Sequence, residues 1–142
     1  MKKYFLALII ALCSVCGYSQ EFMIESEIIN TSVGYHLTKS VREKTLEDNG
    51  EWTKWSQPKK CSYRVFISYF SDLVISVDSP DREIYYIYDW DREYVDSDGD
   101  RVINMYAEDR EGYECEVRLI QFKEGELKMY IEFADIMWVY TL

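Results

Sequence analysis

Apolar and polar residues alternate with a period of two along most of this chain. In 61–69, Cys61, Tyr63, Val65, Ile67 and Tyr69 share one face, against Ser62, Arg64 and Ser68. In 126–133, Leu127, Met129, Ile131 and Phe133 oppose Glu126, Lys128, Tyr130 and Glu132, and Cys115, Val117 and Leu119 oppose Glu114, Glu116 and Arg118. A strand buried on one face has this period, because successive side chains point to opposite sides. The pattern predicts strands over 22–30, 33–47, 51–56, 61–70, 73–78, 83–90, 101–108, 113–122, 126–133 and 136–141. Two runs, 83–90 and 136–140, are apolar on both faces. Such strands are covered on both sides, or have an outer face occupied by something else.

Turn residues fall between these runs or, for Gly34, at the start of one. Glycines 34, 50, 99, 112 and 125 and prolines 58 and 80 all separate apolar segments, and Ser71-Asp72 and Ala134-Asp135 add further breaks. Asn49-Gly50 between Asp48 and Glu51 predicts a type I′ hairpin, and Lys123-Glu124-Gly125 a short hairpin loop. Ser40-Val41-Arg42-Glu43 has the form of a capping box that would start a helix over 41–48. Val41 and Leu46 are too far out of phase to give that helix an apolar stripe, so an extended strand is the favoured reading. Short strands with tight turns and no crossover helices form an antiparallel up-and-down meander. The expected fold is therefore all-β: a small lipocalin-like barrel or half-barrel, whose closure removes exposed edges, with a two-sheet β-sandwich as the alternative. An outer-membrane barrel also alternates. Several runs here are short for that role, and the chain ends on Leu142 rather than on an aromatic residue.

Residues 1–19 do not follow the strand pattern. Lys2 and Lys3 precede an apolar run from Tyr4 to Leu12, and a less apolar exit from Cys13 to Ser19 follows. This is the arrangement of a secretory signal peptide, and the run is too short to anchor in a bilayer. Gly17 and Ser19 at −3 and −1 place cleavage before Gln20, leaving 20–142 as one all-β domain in the periplasm or secreted. The rival is a lipoprotein acylated at Cys16, but Cys13 and Val15 stand where a lipobox has an aliphatic and a small residue. No second run approaches transmembrane length.

Composition sharpens this picture in two ways. The whole chain has a net charge of −10, and the leader removes cations only, so the mature part is more acidic still. That argues against nucleic acid and anionic membrane surfaces, both of which require basic patches. The 13 tyrosines and four tryptophans suit strands.

Candidate chemistry is sparse. His36 is the single histidine, which rules out a histidine cluster; on a mostly polar strand face it reads as a surface position. There is no Gly-x-Ser-x-Gly elbow. Asp96-Ser97-Asp98-Gly99-Asp100 resembles a calcium loop, but aligning Gly99 with the sixth EF-hand position leaves Tyr94 and Met105 where the first and last ligands belong. A solvated Asp-Gly hairpin is the better reading, with no metal, cofactor or catalytic residue assigned. Trp52 and Trp55 are expected on opposite strand faces unless a bulge intervenes; they read either as hairpin packing that closes the barrel end or, helped by Tyr85 or Trp90, as an aromatic platform for a ligand. Cys61 and Cys115, both on apolar faces, are candidates for a disulfide in an oxidising compartment, with two buried thiols as the alternative.

Trp52–Trp55, Leu73–Val77, the turn Asp96–Asp100 and the end motif Asp135-Ile136-Met137-Trp138-Val139-Tyr140 together resemble a group of small exported proteins of Bacteroidetes-type bacteria without assigned function. The resemblance covers roughly 50–142 and implies a cell-envelope protein; it transfers no site residue. Similarity to lipocalins is architectural only. The expected role is a non-catalytic binding module for a small ligand, glycan or envelope protein. The alternative is a protein–protein interaction factor, such as an inhibitor, an immunity-type protein or an assembly subunit, whose acidic surface meets a basic partner.

Overall fold

Period-two alternation produces strands and nothing else in the computed structural model, which describes residues 36–69 and 73–142. The leader, Cys16, the expected strand 22–30 and the start of 33–47 lie outside the described residues. The strands are β1 (His36–Leu37), β2 (Ser40–Thr45), β3 (Lys59–Lys60), β4 (Arg64–Tyr69), β5 (Leu73–Val77), β6 (Glu83–Trp90), β7 (Tyr94–Val95), β8 (Arg101–Asp109), β9 (Glu114–Gln121), β10 (Leu127–Glu132) and β11 (Ile136–Thr141). They form one antiparallel sheet in the order β1-β4-β5-β6-β8-β9-β10-β11-β2-β3, with β7 pairing β8. This curled meander is the lipocalin-like half-barrel that the sequence predicts. Residues 41–48 hold strand β2, not the alternative helix.

The two ends of that order are parts of one segment. β1 pairs β4, and β2, only two residues later, pairs β11. At the junction the Thr38 amide donates to the Tyr63 carbonyl (2.9 Å) and the Lys39 amide donates to the Thr141 carbonyl (2.7 Å). Neighbouring amides of an extended strand point to opposite flanks, so segment 36–45 is bonded on both sides and joins the sheet's ends. Thr38 is only 2% exposed. Its Oγ1 accepts the Tyr63 N–H (2.7 Å) and touches Cys61 Sγ (3.2 Å).

Cross-strand pairing assigns every side chain to a face. Val65, Ile75, Met105, Ala107, Val117, Leu119, Met129 and Ile131 all point inward and have no exposed surface. Each large member of this core contributes on the order of 1.5–3 kcal/mol by burial. The outer positions Arg64, Lys128 and Glu132 remain at least partly exposed. His36 is not the surface position expected: it faces Val65 across β1 and β4 and is half-buried.

Four described glycines serve one turn geometry. Gly50, Gly99, Gly112 and Gly125 all have φ near +90°, between 81° and 96°. Each donates its amide three residues back, to Glu47, Asp96, Asp109 and Phe122 respectively, and the first and fifth residues of each turn are bonded as well. Asn49 does not share the positive φ, so the 47–51 turn is a type I turn closed by a left-handed glycine rather than the expected type I′.

The 51–56 strand does not form as expected. Trp52 makes an isolated bridge to Leu46, Thr53 bonds Thr45, Ser56 bonds Glu43, and Lys59 faces Val41. One extra residue lies between Thr53 and Ser56, and another between Ser56 and Lys59. The segment therefore follows β2 through successive bulges, which break the ladder. A further bulge separates β3 from β4, because Lys60 faces Ser40 whereas Arg64 faces Leu37.

Thr38→Val keeps the side-chain shape but leaves the Tyr63 amide without its acceptor at the buried junction. Urea unfolding should show a loss of about 1–3 kcal/mol with an unchanged m value, and Thr38→Ser should recover most of it.

Candidate functional site

The start of β6, the end of β8 and the β10–β11 turn meet at one end of the half-barrel. There they leave an open cleft of about 160 Å³. Tyr85, Phe133 and Trp138 supply its aromatic wall, and Asp81, Arg82, Glu83, Asp109, Arg110 and Glu111 its polar rim. Phe133 packs edge-on against Trp138 at 5.7 Å and lies 6.4 Å from Tyr85, ring centre to ring centre. The β5–β6 turn is fixed from two directions. Arg82 adopts φ 49° with its amide on the Ser79 carbonyl (3.0 Å), and Arg110 Nη2 donates to the Asp81 carbonyl (3.3 Å). A left-handed backbone at a long side chain is uncommon and is kept only where the surroundings enforce it.

Glu83 is the chemically distinctive residue of the cleft. It stands on the inward face, opposite Val77, at the mouth of a mostly apolar interior. Tyr85 donates its hydroxyl to Glu83 Oε1 (2.7 Å), and Tyr140 donates to Oε2 (2.9 Å) and Oε1 (3.1 Å). Burial, and then the Glu83 charge, push both phenols far above their ordinary range. They are thus permanent donors. A carboxylate held this way is an oriented anchor, with both oxygens occupied.

The expected aromatic platform is not brought together. Tyr85 lies in the cleft wall but is 1% exposed. Trp90 is at the other end of β6, five residues or roughly 17 Å along the strand. Trp52 and Trp55 share one side rather than opposite faces, because the bulge between Thr53 and Ser56 inverts the alternation. Lys44 Nζ lies over both rings, 5.2 Å and 4.9 Å from their centres. Lys44 faces Met137, and Trp55 meets Tyr130 edge-on at 6.3 Å, which places the pair on the outer face of β2, β10 and β11. Both tryptophans are half-buried. They form a strap beside Met137 and Val139, and this accounts for β11 being apolar on both faces.

The Asp96–Asp100 loop is a hairpin turn. Its three carboxylates lie within 4.8 Å of one another. Asp96 Oδ1 accepts the amides of Asp98 and Asp100, and Asp100 Oδ1 accepts the Lys123 amide. Asp109 caps its own glycine turn in the same way, through the amides of Glu111 and Tyr113, so turn formation explains the aspartate.

Cys61 and Cys115 are both free thiols, which corrects the expected disulfide. Each is engaged locally. Cys61 lies on Thr38 beside the junction, whereas Cys115 faces inward on β9 opposite Ala107. Burial, helped by Asp109, pushes the Cys115 thiol up to about 12.

Compared with protein-family models, curated proteins and solved structures, the chain matches none of them. The cleft is therefore read from its own residues. Sequence reasoning passed over Glu83, Phe133, Trp138 and Tyr140. One signal for them existed: Glu83 occupies an inward position of the alternation, where a charge requires a partner.

Native-state alkylation at pH 8 followed by peptide mapping should label Cys61 before Cys115. Cys115 should react only on unfolding, and no Cys61–Cys115 cross-linked peptide should appear without reductant. Because the folded Cys115 pKa lies above its ordinary value of 9.0, this group contributes to stability below about pH 9. That contribution should disappear between about pH 9 and 12.

Proposed function

We propose that this protein is an exported, non-catalytic binding module of a bacterial cell envelope, processed before Gln20 and released to the periplasm or beyond. Its ligand is a single sugar ring at the end of a glycan, taken at the barrel mouth. The observation that carries this reading is Glu83, held by the Tyr85 and Tyr140 hydroxyls beside the Phe133–Trp138 wall. Placing a carboxylate against an apolar interior costs stability unless it is bonded. Two phenols supply those bonds and leave the group fixed beside a hydrophobic surface.

The dimensions set the ligand class. Sites that enclose a drug-sized ligand occupy roughly 300–1,000 Å³, so a cleft of about 160 Å³ takes one ring with the remainder of the molecule outside. Phe133 and Trp138 offer a face for the ring, and the charged rim offers donors and acceptors to its hydroxyls. Side chains fill the interior below the mouth, so the ligand sits at the opening rather than in a calyx.

Saturation-transfer NMR with a panel of monosaccharides and short oligosaccharides tests this. The expected result is saturable contact with at least one sugar, weakened by about tenfold when Trp138→Leu removes an aromatic face worth roughly 1–2 kcal/mol. Failure of every sugar to bind would overturn the ligand class. Binding unaffected by Trp138→Leu and by Phe133→Ala would overturn the site.

A further inference from the structure

β6 and β11 are the two strands apolar on both faces, and their outer faces differ. The Trp52–Trp55 strap lies on β11, whose Met137 and Val139 are buried. On β6, Tyr86 and Tyr88 point outward and are 47% and 49% exposed. We propose that the outer face of β6, β8 and β9 is a docking surface for a lysine- or arginine-rich segment of a partner protein.

Charge selects the occupant. Tyr86 stands opposite Glu108, and Glu108 opposite Glu114 on the next strand. One row along, Tyr106 stands opposite Glu116, and Glu116 opposite Glu132 on β10. Two cross-strand Glu–Glu pairs therefore lie on one face, an arrangement that destabilises a sheet. Arg118 on Glu116 (2.8 Å) offsets part of this. A cationic segment laid across the rows would offset the rest, with its cations over tyrosine rings and bonded to carboxylates.

Other occupants fit less well. A second copy of a chain with net charge −10 would bring more acid to an acidic face. Residues 20–35 of this chain contain Glu21, Glu25 and Glu27 but no lysine or arginine. Strand addition has no edge here, because β6, β8 and β9 are each paired on both sides. Recognition must therefore go through side chains. The surface is separate from the mouth cleft, so this proposal stands or falls apart from the sugar reading.

Fluorescence anisotropy of the full mature chain with a labelled peptide of alternating lysine and alanine tests it. Glu108→Lys should weaken peptide binding by about tenfold or more and raise the melting temperature of the free protein, because it converts a repulsive pair into an attractive one. Tyr86→Ser combined with Tyr88→Ser should weaken binding without a change of charge. Glu47→Lys, on the 47–51 turn, changes net charge equally and should leave affinity within about twofold. No peptide binding by the wild type would overturn the proposal, as would equal loss in the Glu47 variant or no loss in the tyrosine variant. Wild-type self-association abolished by Glu108→Lys would assign the face to a second copy instead.

Discussion

The amides of Thr38 and Lys39 donate in opposite directions, to Tyr63 on one flank and to Thr141 on the other, and the fold depends on that pair of bonds. Without them the sheet would end at β1 on one side and at β2 and β3 on the other, and two edges would be open to other chains. With them a single extended segment belongs to both ends. The Thr38 hydroxyl supports the junction from within by accepting the Tyr63 amide, and so satisfies a donor that burial would otherwise leave unpaired. Non-local pairing of this kind closes long loops, so β2–β11 and β1–β4 are the contacts with the largest chain-entropy cost.

Curling the sheet around a side-chain core determines where recognition can occur. Among the described residues, an interior filled by Ile75, Met105, Leu119, Met129 and Ile131 leaves no calyx between these strands. In the proposed reading, binding therefore falls to the mouth and to the outer faces. At the mouth the alternation places Glu83, Tyr85 and Tyr140 inward, and the β10–β11 turn adds Phe133. Outside, one doubly apolar strand is covered by its own chain and the other presents tyrosines among carboxylates. Both proposed surfaces are consequences of which positions the core does not use.

The strand set and the turn positions were legible because they are local. Period two assigned the inward residues of β4, β9 and β10 without any partner being known, and Gly99, Gly112 and Gly125 recur every 13 residues because each strand-plus-turn unit repeats. The bulges between Trp52 and Arg64 were not legible. A bulge is a mismatch between two strands, and 52–64 shows none until it is set against 36–46. That one gap moved Trp52 and Trp55 onto a shared face. It also explains why 33–47, read as one run, appears as two short ladders. Cys61 and Cys115 both fall on apolar faces of the sequence pattern, yet shared apolarity says nothing of distance. Glu83 was passed over because a lone acid inside a tyrosine-rich strand resembles many others in an acidic chain.

Amide hydrogen exchange at Thr38, Lys39 and Cys61 tests the central claim, that segment 36–45 holds both ends of the sheet. If the junction is part of the cooperative fold, these amides exchange only through global unfolding, at the same free energy as Ile75, Met105 and Leu119. Exchange of Thr38 and Lys39 at loop-like rates, while the β5–β9 amides stay protected, would contradict it: the sheet would then be stable without its shared strand.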